Sequence, residues 1–220
     1  MPLTLPRVYP ILDTASLARL NCDPIHAAEG FLEGGAKILQ FRHKSFWDRA
    51  GFERAKTIAT LCRQANALFV VNDRADYARL LNAALHVGQD DLVPADARTV
   101  IGPEAILGFS THNPTQLTAP ETDPADYLAF GPLFPTTSKE RPDPTVGIYA
   151  LRAIRHLTKK SIVAIGGITR DNAYYCWSAG ADSVAVISDL LPQPCTRSTI
   201  SARMAEWIRL SASVYAGKHS

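Results

Sequence analysis

The chain has 220 residues, 46% of them apolar, with a formal net charge of +2. That length holds one substantial core, near the lower end of what a (β/α)8 barrel needs. The near-neutral balance excludes the strong basic field of a protein that binds nucleic acid or an acidic membrane surface. No apolar run approaches the ~20 residues of a membrane span, and residues 1–7 lack the pattern of a signal peptide. Cys22, Cys62, Cys176 and Cys195 are scattered, with neither a paired motif nor zinc spacing, which suits reduced structural thiols in the cytoplasm.

In chain order, eight short apolar runs break off into polar residues or glycine. Val8-Tyr9-Pro10-Ile11-Leu12 meets Asp13, and Ile38-Leu39 leads into Gln40-Phe41-Arg42-His43-Lys44. Leu68-Phe69-Val70-Val71 ends in Asn72-Asp73, and Leu85-His86-Val87 in Gly88-Gln89-Asp90-Asp91. Ala105-Ile106-Leu107-Gly108-Phe109 ends in Ser110-Thr111-His112, and Tyr127-Leu128-Ala129-Phe130 in Gly131-Pro132. Ile162-Val163-Ala164-Ile165 ends in Gly166-Gly167, and Val184-Ala185-Val186-Ile187 in Ser188-Asp189. Such runs read as parallel strands covered on both faces.

Helices are expected between them. Asp23 caps one at 24–34 that opens on Pro24 and stops at Gly34-Gly35. A longer amphipathic helix covers 47–65, and shorter ones cover 74–81, 94–100, 114–117, 148–157 and 171–179. A last helix covers 196–214. Eight strand-helix units with no linker between them predict a single α/β domain over residues 1–220, a (β/α)8 TIM barrel. The chemistry of that fold sits at the C-terminal ends of its strands. The polar tails are therefore the candidate site, and the long segment 134–147 after the sixth strand is a candidate lid.

Asp73 and Asp91 are convergent carboxylates with few histidines nearby, which suits a hard cation such as Mg2+ shared with substrate phosphates. The competing reading makes Asp73 a helix cap and Asp91 a loop cap. Asn72 adds a neutral donor. Gln40, Arg42 and Lys44 alternate onto one face of an extended chain, where Arg and Lys together with a metal can neutralise a diphosphate. Thr136, Thr137, Ser138 and Lys139 combine hydroxyls with an ammonium and suit a phosphate. So does Gly166-Gly167 at a strand end beside Ser188. Ser110 reads as a hydrogen-bond donor to substrate, and His86 as a satisfied core histidine. Lys159-Lys160 reads as solvated charge.

Taken together these segments resemble the thiamine phosphate synthase family, in order and over nearly the whole chain. The resemblance rests on Gln40 to Lys44, Asn72-Asp73-Arg74, His86 to Leu92, Gly108 to His112, Asp126-Tyr127 through Gly131-Pro132, Thr136 to Lys139, Ala164 to Ile168 and Val186 to Ser188. Departures from the family pattern are Asn82-Ala83-Ala84, Ser138 and Asp90; none removes a proposed ligand. The resemblance implies a Mg2+-dependent transferase of thiamine biosynthesis, acting on small phosphorylated substrates. It would join hydroxymethylpyrimidine diphosphate to a thiazole phosphate, plain or carboxylated, by a dissociative route. It further implies that Asp73 and Asp91 bind Mg2+, and that Gln40, Arg42, Lys44, Asn72, Ser110 and Lys139 hold the pyrimidine diphosphate. Arg42, Lys44, Ser110 and Lys139 would act in catalysis. Thr136, Thr137, Ser138, Gly167, Ile187 and Ser188 would hold the thiazole phosphate. Rival readings are a thiazole tautomerase, another phosphate-binding barrel and a non-catalytic precursor-binding protein. Oligomeric state stays open, a homo-oligomer included.

Overall fold

The computed structural model describes residues 3–136 and 144–216. Eight parallel strands close into a barrel in chain order: β1 (Val8–Asp13), β2 (Ile38–Arg42), β3 (Leu68–Asn72), β4 (Ala84–Val87), β5 (Leu107–Thr111), β6 (Tyr127–Phe130), β7 (Ser161–Ala164) and β8 (Ser183–Val186). The helices are α1 (Thr14–Arg19), α2 (Pro24–Glu33), α3 (Arg49–Gln64), α4 (Ala75–Leu81), α5 (Pro94–Ile101), α6 (Pro114–Thr118), α7 (Gly147–Ile154), α8 (Ala173–Ser178) and α9 (Arg197–Ala216). Every residue of β4, β6, β7 and β8 is buried. Strands covered on both faces show that pattern, and it explains why the apolar runs are continuous and not alternating. Among the described residues, no helix is long and apolar enough to cross a membrane.

Helix boundaries follow local chemistry. Asp23 accepts from the backbone of Ile25 at 2.8 Å and His26 at 3.0 Å, and Pro24 opens α2. Asp48 caps α3 by accepting from Gly51 N at 2.7 Å. One helix lies outside the sequence expectation. In α1 only Ser16 and Leu17 are buried, too little apolar spacing to register as an amphipathic stretch.

Contacts gather the chain into two compact units. One is Val70–Ala185 with the start of the chain through Leu5; the other is Pro6–Phe69 with the chain from Val186 on. In the second unit α2 lies against α9. A methyl at Gly30 would sit 2.6 Å from Arg197 O, and one at Gly34 2.5 Å from Met204 Cβ, so the two backbones meet where both positions lack a side chain. Arg197 then ties α9 to Glu29 and Glu33 of α2.

In the first unit Lys160 corrects the solvated-charge expectation. Its ammonium donates to the carbonyls of Thr122 (2.8 Å), Asp123 (2.8 Å) and Ala125 (2.7 Å). Burial holds its pKa below the ordinary lysine value, partly offset by Asp123 and Asp126.

Candidate active site

In the second unit, β1 and β2 run side by side with Ile11 opposite Gln40 and Asp13 opposite Arg42. Gln40 is buried and donates from Nε2 to the Tyr9 hydroxyl at 3.1 Å. Arg42 donates from Nη1 to Asp13 Oδ1 at 2.6 Å. Strand β2 ends at Arg42, so Gln40 and Arg42 share a face as predicted, while Lys44 stands two residues past the strand end, exposed. His43 leans the other way: its Nδ1 meets Thr14 Oγ1 at 2.8 Å, and its ring packs edge-on against Trp47. After β8, Ile187 is half-buried and Ser188 opens a short 3-10 turn, Ser188–Leu190. Helix α9 braces that turn. Trp207 Nε1 donates to Asp189 Oδ2 and Arg203 Nη1 to Asp189 O, each at 2.9 Å.

In the first unit, the end of β3 is a tight turn. Asp73 has φ +65°, and Arg74 N–H closes the turn onto Asn72 O at 2.8 Å. A three-residue turn with positive φ on a side-chain-bearing residue is the strained γ form. The helix-cap reading of Asp73 fails here: α4 is capped at Arg74 with no side-chain cap bond. Asn72 is buried, and its Nδ2 has no hydrogen-bond partner among the described residues. A buried donor without an acceptor is costly unless a ligand supplies one.

Asp91 does serve as a loop cap, accepting from Gly88 N at 2.8 Å through Oδ2. The same bond holds it at the residue that follows β4. Asn72 pairs with His86, and Asp73 N donates to His86 O, so Asp73 lies two residues away, across the ladder, from the glycine that Asp91 grips. The two carboxylates thus end adjacent strands. Among the described residues no three His, Cys, Asp or Glu side chains gather as a metal cluster. Two carboxylates alone fit a hard cation that keeps waters and borrows substrate oxygens, and they do not fit zinc.

Ser110 Oγ lies 2.9 Å from His86 Nε2, and His86 Nδ1 lies 3.1 Å from the Tyr127 hydroxyl. The imidazole and phenol rings stack with centroids 5.6 Å apart. His86 is the satisfied core histidine that the sequence suggests, and it also fixes Ser110. His112 Nδ1 meets Gly131 O at 2.6 Å, tying the β5 and β6 ends together.

Beyond β6, Leu133 N donates to Ile165 O (2.8 Å) and Phe134 N to Gly166 O (3.1 Å), extending the ladder past both strands. Gly167 has φ +64°, and a Cβ there would sit 2.8 Å from Phe134 Cβ. The glycine therefore admits this loop as closely as it could admit a ligand. Thr136 is half-buried. Thr137, Ser138 and Lys139 lie outside the described residues.

Sequence reasoning left Tyr9 and Tyr127 without a role and gave Asp13 none beyond its place among the polar strand ends, although each partners a candidate residue. Asp13 was visible as the polar end of its strand; nothing in a single sequence pairs it with Arg42.

A family model described as thiamine monophosphate synthase matches residues 8–190. The chain is 47% identical over 204 residues to a thiamine-phosphate synthase of Koribacter versatilis, covering 90% of this chain and 94% of the relative. It is 42% identical to one from Chlorobium phaeovibrioides, covering 83% and 88%. A solved thiamine phosphate pyrophosphorylase from Pyrococcus furiosus superposes with a TM-score of 0.80 at 32% identity, covering 94% of this chain and 96% of that one. With a model spanning the barrel and close relatives over most of its length, the chain belongs to the thiamine monophosphate synthase family.

Proposed function

We propose that this transferase joins hydroxymethylpyrimidine diphosphate to a thiazole phosphate by charge neutralisation and positioning, as one catalytic domain in the cytoplasm, without a protein nucleophile. The observation that carries the reading is at the end of β3. A buried amide donor with no partner among the described residues, Asn72 Nδ2, stands beside a carboxylate held in a strained turn, Asp73. Strain and unsatisfied polarity at one strand end point to a ligand there.

Loss of diphosphate places negative charge on the leaving group, and pre-placed cationic donors lower that barrier. Arg42 offers a planar fork, and Lys44 and Lys139 offer point charges. Asn72 and Gln40 orient the pyrimidine. Ser110 presents its hydroxyl at an angle that His86 sets. Thr136, Thr137, Ser138, Gly167, Ile187 and Ser188 hold the thiazole phosphate, so that its ring nitrogen waits beside the pyrimidine methylene, a gain in effective concentration. Asp73 and Asp91 would hold Mg2+, which when bound adds Lewis-acid neutralisation of the diphosphate. His86 Nδ1 meets a tyrosine hydroxyl, a weaker orienting partner than the carboxylate of a serine triad, which argues against Ser110 as a nucleophile.

Purified protein given both substrates and Mg2+ should release diphosphate and thiamine phosphate together, and a chelator should abolish both. Product formation untouched by chelation would remove the metal assignment. Absence of both products in saturating Mg2+ would remove the synthase reading.

A further inference from the structure

We infer that Asp13 is a positioning residue for the diphosphate clamp, fixing the guanidinium of Arg42 in the orientation that meets the anion. The inference rests on the reading of Arg42 as a diphosphate ligand.

Asp13 and Arg42 end neighbouring strands on the same rung. Asp13 is 2% exposed, and its two oxygens have separate tasks. Oδ2 accepts from Ser16 N at 2.9 Å and from Ser16 Oγ at 2.7 Å, which caps α1. Oδ1 accepts from Arg42 Nη1 at 2.6 Å. The cap needs only the first oxygen. The second is an acceptor held from behind, unable to follow a moving partner. Among the described residues Asp13 is the one partner of Arg42, so Nε and Nη2 keep their donors for something else. The arginine side chain is 15% exposed.

A buried ion pair is weak evidence for stability, because desolvation offsets much of its attraction. Its retention at the rim is better explained by geometry. A long, rotamer-rich side chain is held at Nη1 while the opposite edge of its fork stays available for a bidentate anion contact. Pre-organisation of this kind lowers the cost of binding.

Coulomb's law alone gives the opposite expectation: a carboxylate beside the clamp repels an anion, so its removal should tighten binding. The sign of the effect separates positioning from simple neutralisation. The experiment is steady-state kinetics of Asp13→Asn, Asp13→Ser, Arg42→Ala and the double variant Asp13→Asn/Arg42→Ala. Serine at position 13 keeps a helix cap but cannot span to Arg42, so it reports the lost contact even if the asparagine variant folds poorly. Ser16→Ala serves as a control that weakens the cap and leaves Arg42 paired.

Both Asp13 variants should raise KM for the pyrimidine diphosphate about tenfold, the scale expected for losing one charge-assisted bond. KM for the thiazole phosphate should stay within about twofold of the parent. On the Arg42→Ala background Asp13→Asn should add no further loss, since its effect passes through the arginine. Ser16→Ala should lower Tm with both KM values unchanged. The inference is overturned if Asp13→Asn tightens binding, if it leaves KM unchanged while Arg42→Ala impairs it, or if the two losses add. If Arg42→Ala is itself silent, the diphosphate assignment of Arg42 falls, and the role of Asp13 with it.

Discussion

The His86 ring reaches Ser110 Oγ through Nε2 at 2.9 Å and the Tyr127 hydroxyl through Nδ1 at 3.1 Å. Room for this chain of contacts comes from Gly108, where a methyl group would overlap the Tyr127 ring and sit 2.5 Å from His86 Nδ1. Gly108→Ala should therefore lower stability by about 2 kcal/mol or more, through overpacking next to a rigid pair. His86→Phe keeps the packing but leaves two buried hydroxyls without their partner. It should cost on the order of 2 kcal/mol and reduce kcat through a misaimed Ser110. Denaturant midpoints and turnover numbers check both. A His86→Phe variant with parental kcat would show that Ser110 needs no help.

Asp73 separates stability from activity. Its positive φ is strained for any side-chain-bearing residue, so Asp73→Gly should keep or raise stability, by up to about 1 kcal/mol. The same change, like Asp73→Ala, should abolish most activity by removing a carboxylate from the proposed Mg2+ site. A thermal melt beside an assay in saturating Mg2+ tests this. Full turnover of Asp73→Gly would end the metal assignment.

Lys160 stands before β7, at the end of the strand away from the proposed chemistry, where side chains bear on stability. Its ammonium donates to three carbonyls in one loop turn. Lys160→Met should remove those donors and cost on the order of 2 kcal/mol, with KM for both substrates unchanged. A change in KM without a change in melting temperature would contradict it.

Burial pushes the thiols of Cys62 and Cys176 up from 9.0 to about 12. The folded chain therefore holds these protons more tightly than the unfolded one. Their contribution to stability is complete below pH 9.0 and is lost as pH climbs toward about 12. Between about pH 8 and about pH 10.5, the melting temperature of the parent should fall further than that of a Cys62→Ala/Cys176→Ala variant. At pH 8 only about one thiol in ten thousand would be ionised, so alkylation of either should wait on unfolding. Rapid labelling of native protein would refute the shifts.

Much of this was legible in the sequence for physical reasons that can be named. Strands covered on both faces write themselves as unbroken Val, Ile and Leu runs, and all eight were found. Capping is local, so Asp23 with Pro24 announced α2 to within a residue. What stayed hidden was everything set by pairing across strands. Asp13 and Arg42 are separated by 29 positions, and His86 and Tyr127 by 41. A single sequence carries no record of register. Lys44 shows the limit of periodicity: it continues the alternation of Gln40 and Arg42, but the strand ends at Arg42. Lys160 was misread because an ammonium caged by carbonyls has the same sequence signature as one in water. Helix α1 escaped because a short helix with one large apolar residue has no period to detect.

The docking of α2 on α9 has a bearing on how the protein is made. The ribosome releases residues in order, and the unit containing α2 takes its other half from the chain beyond Val186. Helix α2 emerges early, with Gly30 and Gly34 shaped for a neighbour that does not yet exist. Until α9 follows, that narrow apolar strip faces the cellular milieu, while most of the intervening unit, Val70–Ala185, has already emerged as one unbroken stretch. The nascent chain thus passes through an interval in which α2 is made and its partner helix is not, the kind of transient exposure that makes partly synthesised chains prone to misassembly.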